Sequence, residues 1–262
     1  MILGYHGVDH TPRKEDLFLL QIGPERFRAQ LELLKDAGFS FVTVAELAGE
    51  IADGGPPPGF AAVSFDDAMR NNLTIAYPIM RELGIAGTVY VPTDWLGGRS
   101  PYIGPGGDGT ILTAEELAEL SRAGWELGAH TCSHADLSAL DYESCREEIG
   151  QSCQVLERIA GTPVQTFAYP FGCYTPAAVA AVRDLGLLAA VTTGSGSWER
   201  HELTRAMIGA ADPMPVVWLK LTDRYEPLLR TQPLRTVRKV SKRLRARLGE
   251  RRGRRNGELT SA

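Results

Sequence analysis

The sequence predicts an α/β fold on a parallel sheet, from three observations. Short apolar runs alternate with amphipathic segments through about seven strand-helix units, and such alternation makes right-handed crossovers between parallel strands. At 262 residues and 44% hydrophobic content the chain can bury a sizeable core. The chemistry-bearing residues also fall just after strand runs, at the carboxyl ends where α/β sheets, open or closed into a barrel, gather their sites.

Taken in order, "ILGYHGV" reads as a strand and "GPERFRAQLELLKDAGF" as a helix entered at Pro24 and left at Gly38. "FVTVAELAGEIADG" reads as a short strand and a helix, "FAAVSF" as a strand, and "NNLTIAYPIMRELG" as a helix with Pro78 inside it. "AGTVYVP" is a strand, and "LTAEELAELSRAG" is a helix whose Thr113 and Glu116 form a capping box. "WELGAH", "QTFAYP" and "LAAVTT" are strands separated by the helices "DYESCREEIGQSCQVLERIAG" and "TPAAVAAVRDLG", with "ELTRAMIG" as one more short strand. The Gly- and Pro-rich "PTDWLGGRSPYIGPGGDGTI" is a loop that is either a lid or substrate wall, or a surface excursion.

Charge divides the chain. Of 28 Lys and Arg, 12 lie from Arg230 onward against two of the 32 acids, leaving a body with 16 basic and 30 acidic side chains, a formal −14. We therefore expect a barrel domain over 1–225 and a basic tail over 226–262. In the tail Leu234, Val237, Val240, Leu244 and Leu248 recur every three or four residues among Arg and Lys. That pattern fits either a helix lying on an anionic membrane surface or a solvated extension. Nucleic acid is not an expected partner, because the acidic body repels phosphates and no aromatic platform accompanies the tail. There is no basic start followed by a long apolar run and no stretch that could span a bilayer, so the expected location is cytoplasmic, peripheral at the inner membrane face if the tail binds there. Cys132, Cys145, Cys153 and Cys173 contain no C-x-x-C pair and are expected as reduced thiols. Neither a G-x-G-x-x-G after a strand, a Walker sequence nor a G-x-S-x-G is present, so nucleotide binding and a serine nucleophile have no support.

Two carboxylates, Asp66 and Asp67, stand side by side where the strand "FAAVSF" ends. Like charges repel, so a cation or a helix cap must justify them. His130 and His134, four apart after another strand, can be loop histidines, or can join one carboxylate as the set of two imidazoles and a carboxylate that leaves a divalent ion open positions. On the metal reading Asp67 completes the ion's shell and Asp66 takes a proton from the attacking water.

The order S-F-D-D, H-T-x-x-H, Y-P-F-G resembles the NodB-homology polysaccharide deacetylases, and "YHGV" with "ERFRAQLELLKDAGF" is similar to bacterial members; the likeness spans roughly 1–210. It implies a distorted (β/α) barrel of fewer than eight units and a metal-dependent hydrolase that removes an N-acetyl, or other N- or O-acyl, group from a glycan or amino sugar. It implies Asp66 as base, and Asp67, His130 and His134 as ligands of a divalent ion, zinc first with cobalt, nickel or manganese as alternatives. Thr131 would brace the histidine loop, and the Phe171 main-chain N–H would stabilise the oxyanion.

The departures from the family matter too. Ala68 replaces the usual Gly, which is tolerable if that residue avoids positive φ. Ala168 stands where many members place the Arg that orients the base, and Arg205 is the candidate replacement. The late histidine that supplies the family's general acid is missing, leaving His6, favoured by its place after the first strand, or His201. A carbohydrate-binding barrel with a disabled site is the alternative function. A facial-triad iron oxygenase is disfavoured, because there the carboxylate sits two residues from a histidine.

Overall fold

The computed structural model describes residues 1–221, apart from 11–13, 17, 52–54, 56–57, 194–196, 210–211 and 213. The expected tail, 226–262, lies outside the described residues. Met1–Met214 make one compact unit, and a second begins at Pro215.

In chain order the elements are β1 (Ile2–Tyr5), β2 (Gly7–Val8), β3 (Gln21–Ile22), α1 (Pro24–Asp36), β4 (Ser40–Val42), α2 (Val44–Gly49), β5 (Phe60–Phe65), α3 (Tyr77–Glu82), β6 (Thr88–Val91), α4 (Ala114–Arg122), β7 (Glu126–Ala129), α5 (Tyr142–Ala160), β8 (Thr166–Ala168), α6 (Pro176–Asp184), β9 (Ala189–Val191), β10 (Ala206–Met207) and α7 (Met214–Leu221). The main sheet runs β10-β1-β5-β6-β7-β8-β9, with β4 paired to the first half of β5, and every pair in it is parallel. Its two ends approach each other. Val191 bridges Leu203 and the Thr192 N–H donates to the Leu203 carbonyl, so β9 is tied to the segment that leads into β10. The result is the distorted (β/α) barrel expected from the sequence.

Period-two alternation sorts the strand residues into an outer set packed under the helices and an inner set filling the barrel. Tyr5, Phe65 and Trp125 belong to the outer set: Tyr5 meets the α1 residue Phe27 edge-on at 5.2 Å, and Phe65 stacks on Trp125 at 5.5 Å. Inside, α2 plugs the amino end of the barrel, burying Val44 and Leu47 against Ile2, Ala62 and Ala189. The carboxylate of Glu126 holds this plug, accepting from the Ala45 N–H at 2.9 Å, from Thr88 Oγ1 at 2.7 Å and from Thr166 Oγ1. The next layer contains Ser64, Tyr90 and Gly128, where a Cβ on residue 128 would overlap the Tyr90 ring. Asp66 and His130 lie two residues further along their strand lines, at the carboxyl mouth.

Two expectations need correction. "ILGYHGV" is not one strand: it breaks at His6, and Gly7–Val8 pairs with Gln21–Ile22 in a separate sheet. Two-residue strands carry no readable period. "NNLTIAYPIMRELG" is not one α-helix either, because Asn72–Ala76 forms a π-turn ahead of α3. Pro78 lacks an N–H and its ring crowds the preceding turn; the wider turn accommodates both. The capping box of Thr113 and Glu116 is present, and a second, not foreseen, joins Thr43 and Glu46 at α2. All four cysteines are free thiols. Among the described residues no helix is long and apolar enough to cross a membrane.

Candidate active site

The motifs converge at the barrel mouth, and the backbone is strained there. Asp67, Ala68, Thr131, His134 and Phe171 all have φ between +51° and +68°, and Leu19 is the one other described non-Gly residue with positive φ. The left-handed region costs an ordinary residue on the order of 1 kcal/mol or more, and such strain concentrates at functional sites. Ala68, whose replacement of Gly was tolerable on the condition of avoiding positive φ, adopts +51°. Surrounding pairing imposes it: the Ala68 carbonyl accepts from the Leu112 N–H at 2.9 Å, and Met69 bridges Ile111.

Asp67, His130 and His134 are buried with their ligand atoms within 4.8 Å of one another. Asp67 Oδ1 lies 3.3 Å from His134 Nε2 and 3.7 Å from His130 Nε2. The Asp67 carboxylate is only 1% exposed, and apart from these two imidazoles its oxygens have no hydrogen-bond partner among the described residues. A buried carboxylate with no partner beyond two imidazoles is costly, and a cation removes that cost. His130 is prepared for the same role. Its Nδ1 donates to the Ala168 carbonyl at 2.7 Å, which leaves the Nε2 lone pair facing Asp67, and burial pushes the imidazole down to about 4, so the ring is neutral at neutral pH. Two imidazoles and one carboxylate suit a divalent ion such as zinc.

Asp66 faces the other way, into the barrel, where Arg205 grips both of its oxygens: Nη1 to Oδ1 at 2.6 Å and Nη2 to Oδ2 at 2.7 Å. The rest of the guanidinium is also committed, with Nε donating to the Thr192 carbonyl at 2.9 Å, Nη1 to Ser64 Oγ at 3.2 Å, and Cζ lying 5.5 Å from the Tyr90 ring centroid. Burial alone would raise the Asp66 pKa. The adjacent Arg205 charge, aided by His130, overrides burial and holds the carboxyl well below the usual range.

His6 follows β1 at the mouth. The Asp66 N–H donates to the Tyr5 carbonyl at 2.9 Å, which sets residues 6 and 66 side by side on neighbouring strands. Asn72 Nδ2 fixes the His6 carbonyl at 2.9 Å. His201 is not at the site: its Nε2 bonds to the Leu187 carbonyl at 3.0 Å, ahead of the amino end of β9, at the opposite end of the strands. Phe171 lies in the turn Pro170–Gly172, 54% exposed, its ring 4.6 Å from that of His134. Its N–H takes no part in the turn's two hydrogen bonds, Gly172 N–H to Tyr169 and Cys173 N–H to Pro170.

The Gly- and Pro-rich loop is a wall of the site. Its start is tied to the histidine loop, Asp94 N–H to the Cys132 carbonyl at 2.9 Å, and its end to the Asp66–Asp67 turn through the pairing at Ala68 and Met69. It carries Trp95 and Tyr102, which with Phe18 and Phe171 make an aromatic face beside His134. Sequence reasoning missed Tyr102, whose hydroxyl is 3.2 Å from His134 Nδ1, and missed Glu148. From α5, Glu148 accepts from the N–H groups of Cys132 at 2.9 Å and Ser133 at 3.0 Å, and from Ser133 Oγ at 2.9 Å. Thr131 Oγ1 accepts from the Ala135 N–H at 3.1 Å within the same loop. No motif marks Tyr102 or Glu148; their partners are distant along the chain or formed by loop main chain.

Fold and site together define a parallel (β/α) barrel with an Asp-His-His cluster at the carboxyl ends of its strands. The family model described as polysaccharide deacetylase matches residues 53–190, and the chain belongs to that family. Among curated relatives, YxkH of Bacillus subtilis (strain 168) is 23% identical over 202 residues, 77% of this chain and 67% of that protein. The poly-beta-1,6-N-acetyl-D-glucosamine N-deacetylase of Staphylococcus aureus (strain MRSA252) is 22% identical over 175 residues, 63% of this chain and 59% of that protein. Thus the chain spans less than two thirds of the staphylococcal enzyme. Among solved structures, the Streptococcus pyogenes deacetylase PplD in complex with acetate has the same fold, with TM-score 0.70 and 24% identity over 80% of this chain and 92% of that one.

Proposed function

We propose that this chain is a metal-dependent hydrolase that removes an N-acetyl, or other N- or O-acyl, group from a glycan or amino sugar. The observation that carries the reading is the buried Asp67 carboxylate, which has no partner beyond the two histidines and is adjacent to an Asp66 that Arg205 keeps ionised. Membership of the polysaccharide deacetylase family and the staphylococcal relative's name support an acetylated amino-sugar substrate.

Asp67, His130 and His134 would hold the ion. A divalent ion bound there polarises an acyl carbonyl and makes water more acidic. Asp66 accepts the proton of the attacking water, with Arg205 fixing its orientation and charge. The Phe171 N–H donates to the oxyanion as the carbonyl oxygen gains charge. His6 delivers a proton to the departing amine, which leaves poorly without one. The aromatic face of Phe18, Trp95, Tyr102 and Phe171 packs against the sugar.

The test is acetate release by zinc-loaded protein from N-acetylated sugars, monomeric to polymeric. Asp66→Asn should abolish release while zinc content stays near that of the wild type, and Asp67→Asn should lower zinc content. If zinc-loaded wild type releases no acetate from any member of the panel, the hydrolase reading fails in favour of a binding barrel.

A further inference from the structure

His130 and His134 are not held alike. The Nδ1 of His130 faces the Ala168 carbonyl, which only accepts, so that ring has one possible tautomer in the fold. The Nδ1 of His134 faces the Tyr102 hydroxyl at 3.2 Å, which can donate or accept. His134 is therefore the ligand whose tautomer is left open by its surroundings. With Nε2 3.3 Å from Asp67 Oδ1, two arrangements satisfy the same geometry: Nε2–H aimed at Asp67 with Nδ1 accepting from Tyr102, or a bare Nε2 with Nδ1–H donating to Tyr102.

Tyr102 itself is closely positioned. Its ring is the hub of the aromatic face, with centroids of Phe18, Trp95 and His134 at 5.3, 5.9 and 5.8 Å. Its N–H donates to Ser100 Oγ at 3.3 Å, and Arg99 Nη2 closes the loop by donating to the carbonyls of Gly104 at 2.7 Å and Gly107 at 2.6 Å. The Gly104 N–H donates to the Glu15 carbonyl at 2.6 Å, so the loop is clamped from both sides.

We infer that Tyr102 is a positioning residue for the metal centre: its hydroxyl accepts the Nδ1 proton of His134 and thereby presents the Nε2 lone pair to the ion. This rests on the metal-binding reading proposed above. The wall that meets the sugar then also supplies an outer-shell partner of one ligand, and such partners commonly change metal affinity by about ten- to a hundredfold.

Chelator competition with zinc alone, on the full chain, tests the inference without reference to turnover. Tyr102→Phe keeps the ring and removes the acceptor, and should weaken zinc binding by about tenfold or more. Phe18→Ala, which removes a ring neighbour of Tyr102 but leaves its hydroxyl, should bind zinc as the wild type does. In long-range proton-nitrogen spectra of the zinc-loaded wild type, His134 should carry its proton on Nδ1, and this readout stands even if Tyr102→Phe fails to fold. Equal zinc affinity of Tyr102→Phe and wild type, or a loaded His134 protonated on Nε2, overturns the inference and leaves the metal reading intact. A wild type that takes up no zinc overturns the metal reading, and the inference with it.

Discussion

Arg205 and Asp66, 139 residues apart in the chain, are joined by two hydrogen bonds of 2.6 and 2.7 Å inside the barrel. A paired fork of this kind fixes direction as well as charge, and lysine cannot reproduce it. Removing one partner of a buried ion pair strands the other, so Arg205→Ala should lower unfolding stability by about 3–5 kcal/mol. Arg205→Lys should recover much of that stability while kcat stays down by about tenfold, the equivalent of one well-aligned hydrogen bond. Urea unfolding and steady-state kinetics check both, and a Lys variant with wild-type kcat would show that orientation of Asp66 does not matter.

His6 and His201 make a paired comparison. With His6 beside Asp66 and His201 bonded to Leu187 at the far end of the strands, His6→Ala should reduce turnover by about a hundredfold with zinc uptake preserved. His201→Ala should leave turnover nearly unchanged. The opposite ranking in acetate-release assays would remove His6 from the acid role.

Glu148 holds two main-chain N–H groups of the histidine loop, against the strain of positive φ at Thr131 and His134. Glu148→Ala should cost about 1–3 kcal/mol in stability by leaving those donors unpaired. It should also weaken zinc binding, because the loop no longer holds its ligands in place. Unaltered melting and unaltered zinc affinity together would reduce Glu148 to a surface contact.

Phe18, 64% exposed at the rim of the aromatic face, should contribute to glycan binding alone. Covering about 40 Å² of apolar surface corresponds to roughly 1 kcal/mol, or about a fivefold rise in KM for Phe18→Ala, with kcat unchanged. A fall in kcat at constant KM would place the residue elsewhere in the reaction.

At the amino end of the barrel, burial pushes the Glu126 carboxyl up, and the hydrogen bonds from Thr166, Ala45 and Thr88 offset only part of that rise. A raised pKa means that the folded state holds its proton where the unfolded chain has already released it, so stability falls as pH rises above roughly 4.3. Glu126→Gln has no such proton to lose. Relative to this variant, wild type should lose stability as pH rises above about 4.3 in urea unfolding, and parallel curves for the two proteins would refute the assignment.

The sequence by itself determined the strand-helix order and the positions of Asp66, Asp67, His130, His134 and Phe171, because period, caps and motif spacing are local and the carboxyl-end rule brings strand termini to one mouth. It also picked out Arg205 and His6 as candidates, without the means to place either. Tertiary structure decided that Arg205 enters the interior beneath Asp66, that His201 lies at the wrong end, and that Ala68 accepts a positive φ because its turn is paired to the end of the long loop. It alone brought Tyr102 to His134 and Glu148 to the histidine loop. Those contacts depend on how the barrel closes and where a Gly- and Pro-rich loop comes to rest, and neither leaves a period or a spacing in the chain from which it could be read.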